Sequence, residues 1–335
     1  MALVRVRHVK NMIEEVCRVL KLGEIIEANE NHEQGQNGKV HLVKTTRGVW
    51  IVKLIKKQDM SKEVLKTLNI SSWASRKMNA VAAEKLGGLT TNLIGDTYVQ
   101  VFKYLEGLRV DNMNITQEQA FELGRNLSIL HNMDYASLDV PVYKMEMDRE
   151  YDWREAICAG YEKKLGWADV INKEREWIIK LYGRGVRKYN SICVDNRGLT
   201  HNDIHKGNII WQGKSPYILD WDNSYVRNVY IEFMDVGIKM FIRELDGRKV
   251  LNKEKFLAYC KGYKANTAQG INWEDIAEAV IAMHLNFAKK RIETSLKNGL
   301  KSEYISQRIN LSFHNARYIY NQMDAAIEML RVISL

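Results

Sequence analysis

With 46% hydrophobic and 27% charged residues, a chain of 335 residues has ample material for packed cores, and its length favours two domains over one. Those proportions exclude an intrinsically disordered chain, and no window approaches the roughly 18 apolar residues of a membrane span. Fifty basic against 41 acidic residues give a formal charge of +9. The basic residues scatter over helix faces, as at Lys289, Lys290 and Arg291, and form no concentrated nucleic-acid-binding stripe.

Taken in chain order, residues 6–22 place Val9, Met12, Ile13, Val16, Val19 and Leu20 at helical spacing, with Gly23 as a stop. The first 16 residues lack the apolar core and cleavage site of a secretory signal. Residues 24–28, 39–43 and 49–54 read as three strands of an antiparallel meander, and the polar stretch 29–38 reads as a loop. Gly35 and Gly38 in that loop let a backbone approach phosphate oxygens closely, or simply close a hairpin. His32 and His41 are given no role. Lys53 is a charge amid apolar neighbours on the third strand, costly unless paired. A helical region is expected over residues 62–86, then a strand over 97–105 ended by Glu106 and Gly107.

Thr116 and Gln119 form a capping box for a helix whose stripe is Ala120, Leu123, Leu127 and Leu130, ending at His131, read as structural. Residues 153–165 and 168–192 are helical, the second long and charged. Beyond the central motif, Glu232 and Asp235 read as charges favoured at a helix start, and residues 253–264, 273–297 and 302–332 are helical. The aromatics Trp273, Tyr304, Tyr318 and Tyr320 read as core packing, with lining of an acceptor site as the alternative. Cys17, Cys158, Cys193 and Cys260 are far apart and suggest neither a zinc site nor a disulfide framework; buried thiols in a reducing cytosol are the expectation.

The densest chemistry lies in residues 199–222, LTHNDIHKGNIIWQGKSPYILDWD. Two apolar runs around Gly213 and Pro216 read as a β-hairpin. Asn208 enters its first strand and Asp220 leaves its second, so antiparallel pairing brings both to the same open end. Two oxygen-bearing side chains there suit Mg²⁺, a hard cation usually held by few protein groups plus substrate phosphates. Asp203, slightly upstream, can accept or orient the proton of an attacking hydroxyl.

The sequence HNDIHKGNII followed by ILDWD resembles the H-x-D-x-H-x-x-N and I-D-W/F-[DE] motifs of the aminoglycoside phosphotransferase/choline kinase-like superfamily. The resemblance implies an α+β, bilobal protein kinase-like fold. Residues 1–107 would form a nucleotide-binding lobe with an antiparallel sheet and a helix, and residues 108–335 a larger, mainly helical catalytic lobe. The implied activity is Mg²⁺-dependent transfer of the γ-phosphate of ATP or GTP to a hydroxyl of an aminoglycoside, sugar or amino alcohol. The implied partners are a nucleoside triphosphate and a small-molecule acceptor, with no nucleic acid and no membrane, in the cytoplasm.

By the same resemblance, Asp203 is the catalytic base and Asn208 and Asp220 hold the metal. Lys53 holds the phosphates and pairs with a helix glutamate, either Glu63 or Glu84. The Gly35–Gly38 loop covers the phosphates, and the adenine binds the hinge near Phe102 and Tyr104. Asp222 either binds a second metal or supports the first. The helices between the hinge and the catalytic loop help build the acceptor pocket. A catalytically weak, kinase-like binding or assembly protein is the alternative.

Overall fold

The computed structural model describes residues 2–35, 38–59, 62–142, 151–264, 270–298 and 303–333. They form two compact units. One gathers residues 1–109, 134–141 and 201–225; the other gathers residues 110–133, 142–200 and 226–335.

The first unit opens with helix α1 (Ala2–Val19). A five-stranded antiparallel sheet follows: β1 (Ile25–Gly35), β2 (Gly38–Thr45), β3 (Gly48–Lys56), β4 (Asn92–Ile94) and β5 (Thr97–Lys103), in the order β1-β2-β3-β5-β4. Its core is made by α1 residues Ile13, Val16 and Cys17 packed with Val43, Val52, Leu54, Val99 and Val101. Each fully buried aliphatic side chain of this kind contributes about 1.5–3 kcal/mol. Alternation on β2 and β3 turns one face to this core, so Lys53 between Val52 and Leu54 belongs to the other face.

Two expectations for this unit are corrected. The polar stretch after residue 28 is not a loop, because β1 continues to Gly35, with Glu30 opposite His41 and Asn31 opposite Val40. An edge strand tolerates polar residues because one side of it is solvated. Residues 62–86 are not one helix. Helices α2 (Lys62–Thr67) and α3 (Ile70–Ala74) are short, and the chain after them is extended. There the backbone satisfies itself on strand edges instead: Ala83 bridges Phe102, and the Glu84 N–H donates to the Val101 carbonyl at 2.7 Å.

The hairpin of the central motif is β7 (Ile209–Gln212) with β8 (Ser215–Ile218). Ile209 lies opposite Ile218 and Gln212 opposite Ser215, the register the sequence implies. Residues 106–108 lie along it. Leu108 and Trp211 exchange backbone hydrogen bonds at 2.9 Å in both directions. Gly107 permits this approach, since a Cβ there would lie 2.7 Å from the Trp211 carbonyl oxygen.

The second unit is mainly helical: α4 (Gln117–His131), α5 (Trp153–Glu162), α6 (Trp167–Lys173), α7 (Arg175–Ile192), α8 (Val229–Met240), α9 (Lys253–Tyr263), α10 (Trp273–Asn298) and α11 (Glu303–Ile333). In sequence, strands β6 (Arg197–Thr200) and β9 (Tyr225–Asn228) precede and follow residues 201–224, and β10 (Ile242–Leu245) with β11 (Arg248–Leu251) make a hairpin between α8 and α9. The predicted capping box is present on α4, with Thr116 Oγ1 accepting from the Gln119 N–H and Gln119 Oε1 accepting from the Thr116 N–H. α4 and α9 touch backbone to backbone, because a Cβ on Gly124 would collide with the Tyr259 carbonyl. The single helix expected over residues 168–192 is two, α6 and α7, separated at Glu174 (φ −108°).

Glu232 lies in the first turn of α8, as expected of a helix-start charge, whereas Asp235 lies further along the helix. Both are buried in the second unit. His131 Nε2 donates to Glu232 Oε2 at 2.9 Å, and its Nδ1 accepts from the Tyr263 hydroxyl at 2.7 Å. Asp235 accepts from His284 Nε2 and pairs with Lys239 Nζ, each at 2.7 Å. Burial acts against the Asp235 carboxylate, but Lys239 and His284 outweigh it and hold its pKa well below the usual range. Burial, aided by the charges of Lys239 and Arg227, pushes the His284 pKa down despite Asp235. Burial likewise lowers that of His131 despite Glu232.

Candidate active site

All the side chains of the candidate site below belong to the first unit. β3 carries Lys53, which faces Val40 on β2 and Gln100 on β5. Its ammonium lies 2.8 Å from Asp220 Oδ1 and 2.6 Å from Asp222 Oδ2. Burial disfavours the charge on Lys53, but the two carboxylates more than compensate, so its pKa is raised. Lys53, Gln100, Phe102, Asp220, Trp221 and Asp222 line one small pocket, together with Thr67, Leu68 and Ser71.

The acidic loop has an uncommon backbone geometry. Asp220 takes a left-handed conformation (φ 56°), uncommon for a residue with a side chain, and Trp221–Asn223 follow as a single 3₁₀ turn. Trp221 Nε1 donates to the Ile218 carbonyl at 3.1 Å, and Thr67 Oγ1 donates to the Asp222 carbonyl at the same distance. Asp222 is therefore buried, whereas the Asp220 side chain keeps 39% of its surface exposed.

Residues 201–208 are tied to the acidic loop by His201. Its Nε2 donates to the Leu219 carbonyl at 2.8 Å while its Nδ1 accepts from the Asp203 N–H at 3.2 Å. That pair of bonds specifies a neutral ring with its proton on Nε2. Asn202 (φ 66°) adds a bond from Nδ2 to the Asn223 carbonyl. Asn208 Nδ2 donates to the Asp203 carbonyl at 2.9 Å and to Asp203 Oδ2 at 3.2 Å. Using the nitrogen this way leaves Asn208 Oδ1 as the atom a cation could take. The Leu219 N–H, next to Asp220, donates to the Asn208 carbonyl at 2.9 Å, so the hairpin brings the two segments to one end. His205, not singled out in the sequence, caps the 3₁₀ turn of residues 206–208 through Nδ1 and places Nε2 at 3.6 Å from Asp203 Oδ1.

Asn208 and Asp220 offer hard oxygen donors, the kind Mg²⁺ prefers. Among the described residues no cluster of three or more His, Cys, Asp or Glu side chains is arranged to bind a metal. A cation here would take two protein ligands and complete its shell with phosphate oxygens and water, the usual way Mg²⁺ is bound.

Of the two glutamates expected to pair with Lys53, Glu84 lies on extended chain, and among the described residues the Lys53 ammonium pairs with Asp220 and Asp222. The side chain of Glu63 lies outside the described residues. Gly35 and Gly38 pair across a hairpin whose two central residues also lie outside them. Gly38 (φ 152°) has a packing reason to be glycine: a Cβ would lie 2.6 Å from the Leu54 carbonyl oxygen. Phe102 lines the Lys53 pocket. Tyr104 is exposed, and its N–H is committed to the Val49 carbonyl at 3.0 Å.

Residues 30–266 match the family described as "Phosphotransferase enzyme family". Amicoumacin kinase of Bacillus subtilis (strain 168) is 23% identical over 179 residues, which is 50% of this chain; the chain spans about half, 49%, of that relative's own length. Solved structures share the fold at low identity. A spectinomycin phosphotransferase solved with ADP and spectinomycin matches with a TM-score of 0.65 at 14% identity, over 97% of this chain and 98% of that one. The choline kinase of Cryptosporidium parvum Iowa II matches with a TM-score of 0.57 at 13% identity, over 96% and 99%. The amicoumacin kinase hAmiN, solved with AMP-PNP, Ca²⁺ and Ami, matches with a TM-score of 0.59 at 13% identity, over 96% and 95%. No helix among the described residues is long and apolar enough to cross a membrane.

Proposed function

Because the chain belongs to the phosphotransferase enzyme family, we propose that it is a small-molecule kinase that transfers the γ-phosphate of ATP or GTP to a hydroxyl group. The observation that carries this reading is the convergence of Lys53, Asp220 and Asp222 in one pocket, tied through the hairpin to Asp203 and Asn208. Phosphoryl transfer asks a protein mainly for positioning and electrostatic stabilisation, and these residues supply both.

Lys53 binds phosphate oxygens with an ammonium kept charged by its carboxylate neighbours. Asn208 Oδ1 and Asp220 would hold Mg²⁺, which when bound neutralises charge on the phosphates. Asp203, oriented by Asn208 Nδ2 and by the His201 contact to its own N–H, accepts the proton of the acceptor hydroxyl. Phe102, on the wall of the pocket, flanks the base of the nucleotide, and the exposed Tyr104 lies at the hinge. The acceptor is a small hydroxyl-bearing molecule. Aminoglycoside-like antibiotics and amino alcohols lead the test set, because similar proteins are solved with spectinomycin or kanamycin or are named as a choline kinase; sugars join it from the motif resemblance. Retention of Lys53, Asp203, Asn208 and Asp220 together favours an active kinase over a silent binding protein.

The test is a transfer assay with γ-labelled ATP and GTP across that set, at saturating Mg²⁺. Labelled product from wild type, formed about 10²–10⁴-fold more slowly by Asp203→Ala, supports the reading. Equal labelling by both proteins contradicts the assignment of the base.

A further inference from the structure

Lys53 needs a partner that persists when a metal-bound nucleotide arrives. Asp220 is poorly suited to that task. Its side chain is the more exposed of the two, its backbone is left-handed, and it is the carboxylate a cation would draw on. Asp222 differs on every count. Its side chain is only 7% exposed and makes the shorter contact to Lys53, at 2.6 Å. Its carbonyl is held by Thr67 Oγ1 from α2. The 3₁₀ turn that carries it is closed by the Ser224 N–H bonding to the Trp221 carbonyl at 3.2 Å and pinned by Trp221 Nε1 on the Ile218 carbonyl. A desolvated, charge-assisted contact of this kind is stronger and more directional than an exposed one.

We propose that Asp222 is the positioning residue that aims the Lys53 ammonium at the phosphates, while Asp220 is the exchangeable carboxylate that turns to the cation. This inference rests on the kinase reading above. It also specifies how the two aspartates of the D-W-D triplet divide their labour: the first serves the metal, the second serves the lysine.

The experiment is a double-mutant cycle of Lys53→Met and Asp222→Asn. Its readouts are basal ATP hydrolysis, the Mg²⁺ concentration for half-maximal rate, and urea unfolding of the nucleotide-free protein. Asp222→Asn is expected to lower kcat/KM for ATP roughly 10- to 100-fold, and the double variant to lose no more than Lys53→Met alone. The half-saturating Mg²⁺ stays within about twofold of wild type, where loss of a true ligand would change metal affinity roughly 10- to 100-fold. Where Lys53→Met leaves no measurable turnover, urea unfolding supplies the same cycle, and the two substitutions are again non-additive.

Additive losses, wild-type behaviour of Asp222→Asn, or a tenfold-scale rise in the Mg²⁺ requirement would each overturn the assignment. If Asp222→Asn fails to fold, Asp222→Glu, which keeps the charge but displaces the ammonium, is judged by the same criteria. A wild-type protein with no Mg²⁺-dependent nucleotide binding would defeat the kinase reading itself; binding wild type with an unaffected Asp222→Asn would defeat this inference alone.

Discussion

Two clusters in this molecule each pair a lysine with aspartate, and are put to different uses. In the second unit, Asp235 lies within α8, pairs with Lys239 one turn away and accepts from His284, with its side chain 11% exposed. Its surroundings satisfy it, and its backbone is helical. In the first unit, Asp220 lies on left-handed backbone, is 39% exposed, and shares one lysine with Asp222. The first arrangement stabilises a fold. The second holds a carboxylate at the surface in a conformation that costs on the order of 1–3 kcal/mol and persists because its neighbours over-determine it. Charge content alone does not separate the two; exposure and backbone strain do.

The contrast can be broken at either cluster. The largest effect is expected beside the strained one: Asp203→Ala should lower turnover by about 10²–10⁴ with an unchanged melting temperature. Steady-state kinetics with thermal unfolding of the same preparation checks this. Next is the buried cluster, where Asp235→Ala strands Lys239 and His284. It should destabilise the protein by about 3–5 kcal/mol in urea unfolding; a loss near that of a surface substitution would refute the buried role.

The buried histidines supply the third prediction. The pKa values of His131 and His284 are lowered in the folded protein, chiefly by burial. As pH falls below about 6.5, the unfolded chain takes up protons that these rings refuse, so stability falls with pH. The depressed pKa of Asp235 adds its own loss only near and below the ordinary carboxylate range. Melting temperature should therefore drop between pH 7.5 and pH 5.5, a window chosen to bracket the usual histidine value of about 6.5, and His284→Asn should flatten that slope. The smallest effect is expected for Asp220→Asn on stability, within about 1 kcal/mol, because a partly exposed ion pair contributes little and Asp222 still satisfies Lys53. A large loss there would erase the distinction between the clusters.

Much of the site was legible because it is local. The hairpin register around Asn208 and Asp220 follows from alternation and turn residues within about a dozen positions. The lone charge at Lys53 on an apolar strand announces that it must be paired. Its partners could not be read, because Asp220 and Asp222 are 167 and 169 residues away and only the fold brings them together. The extension of β1 through polar residues 29–35 was missed since pairing with β2, not side-chain propensity, makes it a strand. The β10–β11 hairpin did carry a signal, Asp246-Gly247 between β-prone runs, with φ of 49° and 70° at those two residues. Glu232 does lie in the first turn of α8, but the buried network that it and Asp235 enter could not be read, because helix-start charges and buried pairs show the same residue types and only burial tells them apart.

The central claim is that Asn208 and Asp220 present one cation, with a nucleotide, to Asp203. Calorimetric titration of ATP with Mg²⁺ and with chelator, into wild type and Asp220→Ala, tests it most directly. The account predicts that Mg²⁺ strengthens binding to wild type and that Asp220→Ala abolishes the gain. Equal Mg²⁺ dependence in both proteins would contradict it.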